Sequence, residues 1–535
     1  MQSTENCLYR AKMVLDNENV EIHEPTIRLN KSRVPMGIRL LIWFQKDRDK
    51  LYRCHIFIAT FIAYASYHLS RKPISVVKDT LNANCSNYVN TSCPAWEPFD
   101  GKDSKSLLGY LDASFLAAYA VGMFISGFVA EHMDIRLFLT AGMFLSGFFS
   151  ILFGFGYFLK IHSLTFFILM QVLAGFAQSS GWPAVVEAIG NWFGKGQRGL
   201  IMGIWNSHAS VGNIVGSAVA AVWSDDRWGW SFVVPGLMII GAGFTVFFFL
   251  VVDPSHVDCS PPEHHLKPRT ISRTVNDEET DSDQTSLLNN YTQDVQNMVR
   301  HSRARKKGQH GADSKAISFF GALCLPGVIE YSLCLFFAKL VSYTFLYWLP
   351  YYINHTDIGG IRYDSRKAGD LSSFFDVGGI IGGIVAGVIS DRTNCSGITC
   401  VIMLVLAAPA IFIYRFYSNN SLLKNVVLMI VSGIFVNGPY GLITTAVSAN
   451  LATQKALRGD TKAMAIVTAI IDGTGSLGAA LGPLLTSFFS NNNWNDVFYM
   501  LITANILAAM LLTRQVSYEI KKHVLHKISS NEITA

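Results

Sequence analysis

Gly181-Trp182-Pro183 opens the stretch of this 535-residue chain that says most about its fold. The stretch continues through Asn191-Trp192-Phe193, a short basic turn ending in Arg198-Gly199, and Trp205-Asn206-Ser207-His208. Apolar segments at 164–192 and 199–223 lie on either side of the turn. Each is long enough to cross a bilayer as a helix with a rise of about 1.5 Å per residue. The stretch therefore predicts a tight connection between two membrane-spanning helices.

The composition of the whole chain is typical of a helical membrane protein. Half of the residues (50%) are hydrophobic and 15% are charged, whereas soluble domains carry about 25% charged residues. We predict an all-α membrane protein with twelve transmembrane helices and, because residues 1–50 are polar and basic, no cleavable signal peptide. The predicted spans are 53–80, 107–130, 137–159, 164–192, 199–223, 231–252, 322–353, 369–390, 397–415, 424–452, 462–489 and 495–513.

A polar stretch at 253–315 divides the spans six and six. It contains an acidic run and a basic run and has too little apolar surface to fold alone. The predicted segments are a cytosolic N-terminal segment (1–52), an N-terminal six-helix half (53–252), a disordered cytosolic linker (253–315), a C-terminal six-helix half (316–513) and a cytosolic tail (514–535).

Three pairs of similar motifs recur at a nearly constant offset of about 260 residues and indicate that the two halves are related. Matching helices carry them, and two related halves with a site at their interface is an arrangement typical of transporters. The pairs are Gly127…Glu131 with Gly387…Asp391, Gly181-Trp182-Pro183 with Gly438-Pro439, and Ser210…Asn213 with Gly473…Ser476.

The distribution of basic residues predicts the orientation. Placing both termini in the cytosol puts most of the 43 Lys and Arg residues on cytosolic segments, as the positive-inside rule requires. The loops then assigned to the opposite side carry glycosylation sequons at Asn84, Asn90, Asn354 and Asn419. Cys85 and Cys93 share the first of these loops, where the environment permits a disulfide; the sequence leaves open whether it forms.

Charged residues inside predicted spans are candidates for function because burying a charge in a bilayer costs about 2.5–3.5 kcal/mol or more. Arg71-Lys72 is followed by the apolar run 74–77 before Lys78, so the pair is either a snorkelling pair at a helix end or a buried site. Lys339 lies within the seventh span. Acids within spans are Asp112, Glu187, Glu330, Asp376 and Asp472.

The stretch at 181–208, together with Tyr64 and Arg71-Lys72, resembles the organophosphate:phosphate antiporters of the major facilitator superfamily. The chain is most similar to the animal sugar-phosphate exchangers (solute carrier family 37) of the glucose-6-phosphate type. The resemblance covers nearly all of 45–515 except the linker, and it implies the major facilitator fold with two pseudo-symmetric six-helix halves. It also implies that Arg71 binds the substrate phosphate with Lys72 beside it. The second cation of the bacterial antiporters aligns with Ser342, one turn from Lys339, which makes Lys339 a displaced candidate.

The resemblance implies further site residues, each with an alternative. Trp182, Asn206 and Tyr343 would line the sugar side, or else serve in helix packing. His208 precedes by one residue the position of the family histidine, here Ala209, so it either faces the site or points elsewhere. Asp472 would be the counter-ion of a site cation, or would make a packing hydrogen bond; Lys339 could equally be a lysine paired with Asp376 or Asp472.

The function these residues predict is exchange of a sugar phosphate, glucose-6-phosphate first, for inorganic phosphate by alternating access. No enzyme activity, cofactor, metal or nucleic-acid partner is expected. The alternatives are a proton-coupled organic anion transporter using Asp472, Glu187 or His208, a membrane-embedded enzyme, and a non-transporting scaffold. The resemblance implies the endoplasmic reticulum membrane, whereas Leu287-Leu288 after an acidic stretch favours the lysosome. Whether the chain forms a homodimer is left open.

Overall fold

The computed structural model describes residues 34–41, 48–83, 95–130, 132–193, 198–260, 319–448, 451 and 461–522. Within them the long helices of the first half are α1 (Arg48–Arg71, continued by Pro73–Leu81), α2 (Ser104–Ala130), α3 (Ile135–Phe158), α4 (Leu164–Trp192), α5 (Arg198–Asn206, continued by His208–Ala221) and α6 (Trp230–Phe249). Those of the second half are α7 (Val328–Asn354), α8 (Ser365–Thr393), α9 (Ser396–Tyr417), α10 (Leu422–Val447), α11 (Thr461–Asn492) and α12 (Trp494–Leu511).

Ten of these helices are long and apolar enough to cross a membrane by length and composition. The other two, α1 and α5, are interrupted at Lys72 and Ser207. The all-helical membrane class predicted from the sequence is thus confirmed, and the helices follow the predicted spans with ends that differ by a few residues. The largest difference is at α7, which begins at Val328 instead of 322 because Pro326 and Gly327, the latter at φ 96°, break the helix.

The two halves share one packing arrangement, in which a glycine lets two helices approach closely. Gly175 of α4 lies against the backbone of Phe115 in α2, and Gly433 of α10 lies against the backbone of Phe375 in α8. A Cβ atom at either glycine would overlap the phenylalanine carbonyl oxygen. Small residues at helix contacts are a common feature of membrane bundles. The repetition of this contact in α2–α4 and α8–α10 reflects the internal similarity that the sequence motifs indicate.

The halves meet along α1 with α7, α2 with α11, and α5 with α8. We call the side on which α1 begins and α12 ends the terminal face, and the side on which α1 and α7 end the loop face. At the loop face Ser365 donates a hydrogen bond to Asp79 (2.6 Å). At the terminal face the Leu200 amide donates to Asp391 (2.7 Å). Asp391 therefore links the ends of α5 and α8.

Several described residues outside the twelve helices also pack against them. A short helix, Met36–Leu41, buries Ile38 in the core of the first half. Val257, in the turn Pro254–Val257 that follows α6, is buried in the same core. Beyond α12, Glu519 accepts hydrogen bonds from the Gly397 and Ile398 amides at the start of α9 (2.9 and 3.0 Å). The packed structure thus includes residues of the segments predicted as 1–52, 253–315 and 514–535.

Candidate functional site

Arg71 and Lys72 lie where α1 is interrupted. Pro73 cannot donate a backbone hydrogen bond, and the helix restarts there after Lys72. Arg71 is only 4% exposed and Lys72 only 1% exposed. This burial removes the alternative of a pair that snorkels to the membrane surface. The two cations lie instead at the interface between the halves, where their side chains bond to residues of both.

Arg71 is held without a carboxylate partner among the described residues. Its Nε donates to the side-chain oxygen of Gln178 in α4 (2.6 Å), and its Nη1 donates to the Tyr343 hydroxyl in α7 (3.2 Å). The guanidinium carbon is 4.6 Å from the ring centroid of Tyr119. Its Nη2 is buried and has no hydrogen-bond partner in the described part of the chain. A buried donor without a partner is costly, so this nitrogen is a ready binding point for an anion.

Lys72 contacts the opposite half through a neutral group. Its Nζ donates to the backbone carbonyl oxygen of Leu346 in α7 (3.1 Å). The carboxylate of Asp376 in α8 acts on it electrostatically from beyond ion-pairing distance. Because a carbonyl oxygen satisfies only one of the three ammonium donors, Lys72 keeps hydrogen-bonding capacity for a ligand.

Lys339 is, in contrast, directly paired. Its Nζ lies 2.6 Å from Asp472 Oδ1 and 3.2 Å from the Ser476 hydroxyl, both in α11. The position predicted as a displaced second cation and the position predicted as a counter-ion thus form one buried ion pair. Tyr119 connects this pair to the Arg71 side, because its hydroxyl lies 3.5 Å from Asp472 Oδ2 and 3.1 Å from the Tyr64 hydroxyl. Tyr119 was not singled out from the sequence, since nothing in α2 distinguishes it from a packing aromatic.

Two predicted site residues, Trp182 and His208, pack against the ring of Tyr64. The Tyr64 ring centroid is 5.1 Å from that of Trp182 and 4.8 Å from that of His208. His208 also packs against Trp205 (4.6 Å), and among the described residues neither of its buried ring nitrogens has a hydrogen-bond partner. Trp182 and His208 thus both support the position of Tyr64.

A small polar cavity lies between the halves beside the cations. Its volume is about 30 Å³, room for about one water molecule, so the halves must move apart to admit a sugar phosphate. Asn206 and Tyr343, both predicted from the sequence, line it. The other polar residues that line it are His68, Ser207, Ser210, Asn213, Ser342, Asp376, Asn437 and Tyr440.

A second buried ion pair lies toward the loop face. Lys78 of α1 pairs with Asp112 of α2, and the side chains of both residues are 0% exposed. The Lys78 ammonium also donates to the Tyr347 carbonyl oxygen across the interface (3.0 Å) and lies 4.2 Å from the Trp348 ring centroid. From the sequence, Lys78 only marked the end of an apolar run. The packing of α2 and α7 over the end of α1 is what buries it.

The remaining predicted positions are the sequon asparagines and the cysteine pair of the first loop. The Asn354 side chain donates to the Tyr363 carbonyl oxygen (3.0 Å), and the Asn419 carbonyl oxygen accepts from the Gly359 amide (2.8 Å). Both asparagines are half-buried. Asn84 and Asn90, with Cys85 and Cys93, lie outside the described residues. In the described parts of the chain, no group of three His, Cys, Asp or Glu side chains could hold a metal ion.

Two six-helix halves around a buried, cation-rich interface define a transporter of the major facilitator class. The sequence profile of the Major Facilitator Superfamily matches residues 56–467. A solved structure of the proton:xylose symporter XylE, bound to 6-bromo-6-deoxy-D-glucose, is 13% identical with a TM-score of 0.56, and the match covers 88% of this chain and 96% of that one. At this identity the likeness shows the fold alone.

Curated relatives identify the family within this class. Glucose-6-phosphate exchanger SLC37A2 of Mus musculus is 52% identical over 491 residues, which cover 90% of this chain and 95% of the relative. The Homo sapiens SLC37A2 protein is 50% identical with the same two coverages. Glucose-6-phosphate exchanger SLC37A1 of Homo sapiens is 47% identical over 526 residues, covering 91% and 97%. The chain belongs to the SLC37 family of the major facilitator superfamily.

Proposed function

We propose that this protein exchanges a sugar phosphate, glucose-6-phosphate first, for inorganic phosphate by alternating access. The names of its relatives, glucose-6-phosphate exchangers, support the sugar phosphate. The observation that carries the proposal is the charge at the interface. Among the described residues, Arg71 and Lys72 are buried with neutral hydrogen-bond partners, whereas the neighbouring Lys339 has a direct carboxylate partner, Asp472.

The charges at this interface do not balance. In the part of the chain that the structure describes, the three cations Arg71, Lys72 and Lys339 are accompanied by two acids, Asp472 and the more distant Asp376. The Lys78–Asp112 pair toward the loop face adds no net charge. A phosphate group brings about 1.5–2 negative charges and three acceptor oxygens. Since burying uncompensated charge is costly, inorganic phosphate and a phosphate monoester each make closure around the site more favourable. A carrier that moves more readily when loaded performs exchange in preference to net transport.

The same residues connect anion binding to movement of the halves. Arg71 and Lys72 belong to α1, and each bonds to a group of α7, the Tyr343 hydroxyl or the Leu346 carbonyl oxygen. A guanidinium group grips phosphate through two parallel hydrogen bonds, and an ammonium group adds a point charge. A bound phosphate would compete with these two α1–α7 contacts for the same donors. Ligand binding therefore alters the contacts that must break when the halves separate.

We further propose that both termini face the cytosol and that the protein lies in the endoplasmic reticulum membrane, with the lysosome as the alternative. The distribution of Lys and Arg supports the orientation. Under it the loop face is lumenal, so Asn354 and Asn419 are glycosylation candidates there, as are Asn84 and Asn90 in the undescribed part of the chain. The boundaries at 53–252 and 316–513 are likewise proposed for the two transporting halves.

The test is uptake of radiolabelled phosphate into proteoliposomes preloaded with phosphate, with glucose-6-phosphate or with buffer alone. Wild type should take up label only into anion-loaded vesicles. Arg71→Ala should abolish exchange, whereas Arg71→Lys should keep the charge, lose the fork and raise the phosphate KM by about tenfold or more. Arg415→Ala is the matched control because Arg415 also bonds to an amide oxygen, of Asn495 (2.8 Å), and a tyrosine hydroxyl, of Tyr352 (3.2 Å).

The outcome for Arg415→Ala should be exchange at the wild-type rate per folded protein. Uptake that needs a proton gradient but no internal anion would replace the proposal with the proton-coupled alternative. Equal loss in the Arg71 and Arg415 variants would show that helix packing, not phosphate contact, explains the effect of Arg71.

A further inference from the structure

We infer that the cavity between α5, α8 and α10 is the subsite for the sugar ring, and that Asn213, Asp376 and Asn437 bind its hydroxyl groups. The inference rests on the proposed function and deepens it. It divides the interface into two parts. A cationic part binds the phosphate group of either substrate. A second part, lined by amide groups and one carboxylate, binds the sugar ring and so contacts the sugar phosphate alone.

The residue types of the cavity fit hydroxyl groups better than a second anion. Asn206 and Asn213 of α5, Asp376 of α8 and Asn437 of α10 line it, and each is less than one-tenth exposed. Polar residues at this depth of a membrane protein are costly and therefore point to function. Amide groups both donate and accept hydrogen bonds and a carboxylate accepts them. A hydroxyl group, which does both, can bond to every one of these side chains.

The cavity adjoins the cationic part directly. Tyr343 lines the cavity, and its hydroxyl is the one that accepts the hydrogen bond from Arg71. Leu346 also lines it, and its carbonyl oxygen accepts from Lys72. A phosphate held by Arg71 and Lys72 thus has this cavity as neighbouring space. The group esterified to that phosphate would enter it when the halves separate slightly.

The polar side chains of the cavity are bonded to one another in a way that a ligand can replace. Asn213 donates to Asp376 Oδ1 (2.8 Å), and its own oxygen is 3.3 Å from His68 Nδ1. Across the cavity Ser342 donates to the oxygen of Asn437 (2.5 Å). Of these three bonds, Asn213–Asp376 is the one that joins the two halves, so separation of the halves exposes both of its partners. A sugar hydroxyl would then restore the hydrogen bond that the separation breaks.

A glycine lets two of the side chains that line the cavity approach α8 closely. A Cβ atom at Gly379 of α8 would lie 2.7 Å from Asn437 Nδ2 and 2.8 Å from the Ser210 hydroxyl. The two nearest atoms are the ends of side chains, not backbone. Gly379→Ala should therefore displace Asn437 and Ser210 within the subsite without separating α8 from α10. Inorganic phosphate has no group that needs this space, so the cavity sets the preference between the two substrates.

The experiment compares two inhibition constants in phosphate:phosphate exchange by proteoliposomes, one for external glucose-6-phosphate and one for external phosphate. The variants are Asn213→Ser, Asn437→Ser and Gly379→Ala. Loss of one neutral hydrogen bond should raise the ratio of the glucose-6-phosphate constant to the phosphate constant about 2- to 12-fold. Asn505→Ser is the control: Asn505 is a buried asparagine on α12 whose side chain, among the described residues, bonds to Leu501 of its own helix (3.0 Å) and to no other helix. Its ratio should stay at the wild-type value.

Deoxy analogues of the sugar phosphate identify the contact. An analogue that lacks the hydroxyl bound by Asn437 should bind wild type more weakly. It should lose little further affinity in Asn437→Ser, because the hydrogen bond that this substitution removes is already absent with the analogue. Additive losses for every analogue would overturn the assignment of that residue.

An unchanged ratio in all three variants would overturn the subsite, as would equal weakening of both anions. These outcomes differ from failure of the proposed function, in which wild type would exchange no phosphate at all. For a variant without exchange activity, the shift of the unfolding temperature by each anion gives the same comparison without transport. Stabilisation of Gly379→Ala by phosphate but not by glucose-6-phosphate supports the subsite, and equal stabilisation by both refutes it.

Discussion

Replacing one member of the Lys78–Asp112 pair should destabilise the protein more than any change to its exposed ion pairs. Both side chains are fully buried, and the pair lies beneath the loop face with Trp348 against the ammonium group. Asp112→Asn keeps the side-chain volume but removes the carboxylate, so that Lys78 keeps neutral acceptors, such as the Tyr347 carbonyl oxygen, and no compensating charge. Leaving one buried charge uncompensated costs about 3–5 kcal/mol.

This cost corresponds to a rise of about 10²- to 10⁴-fold in the unfolded-to-folded ratio. The assay is unfolding in mixed detergent micelles followed by tryptophan fluorescence, with the free energy of unfolding compared between variants. Glu330→Gln is the control, because its partner Arg514 is 82% exposed and such pairs contribute about 0–1 kcal/mol. The double replacement Lys78→Met with Asp112→Leu should recover most of the lost stability, since an apolar pair of similar volume is nearly neutral.

The accessibility of the loop face in the recovered double variant provides a second test. Lys78 also bonds across the interface to Tyr347, so the double variant should be stable while its loop face opens more readily to a thiol-reactive or proteolytic probe. The reasoning is refuted if Asp112→Asn is within 1 kcal/mol of wild type, or if the double variant is no more stable than the single one.

Two further predictions concern the terminal face. Glu519→Ala should remove the acceptor for two amides at the start of α9 and lower the free energy of unfolding by about 1 kcal/mol. The hydrogen-exchange rate at the Gly397 amide should rise several-fold in this variant and less in Glu519→Gln. Equal exchange rates in the two variants would argue against the contact. Burial and the neighbouring Asp49 carboxylate raise the pKa of the Cys259 thiol to about 12, so almost no reactive thiolate forms at pH 8. Mass spectrometry after brief maleimide treatment at that pH should find the exposed Cys324 modified and Cys259 unmodified, and modification of Cys259 at the rate of Cys324 would contradict its burial.

Much of the fold could be predicted because membrane-spanning helices are long, apolar and continuous. The length of each apolar run fixes a span, and the constant offset between motifs indicates two related halves. Local signals failed only where the chain departs from this regularity. The start of α7 was misplaced because Leu325-Pro326-Gly327 interrupts an apolar run that hydropathy alone treats as continuous. The packed turn at Pro254–Val257 was placed in the linker because so short a segment has no periodic pattern.

For the candidate site, the sequence identifies the charged residues but not their partners. Arg71, Lys72 and Lys339 stand out in the sequence because a charge in an apolar run has few explanations, and the cost of burying it is a property of the residue itself. The partners of those charges are not local properties. Asp472 lies 133 positions from Lys339, and Tyr343 lies 272 positions from Arg71.

What the sequence determined by itself is therefore the set of helices, their pairing into two halves and the cations that the interface would hold. Only the tertiary structure decided that Lys339 is paired while Arg71 and Lys72 have neutral partners, that His208 packs against Tyr64, and that Asn213, Asp376 and Asn437 meet in one cavity. The physical reason is geometric. One residue turns a helix by about 100°, so helical periodicity gives the direction of a side chain relative to its own helix. Which other helix lies in that direction depends on the packing of all twelve.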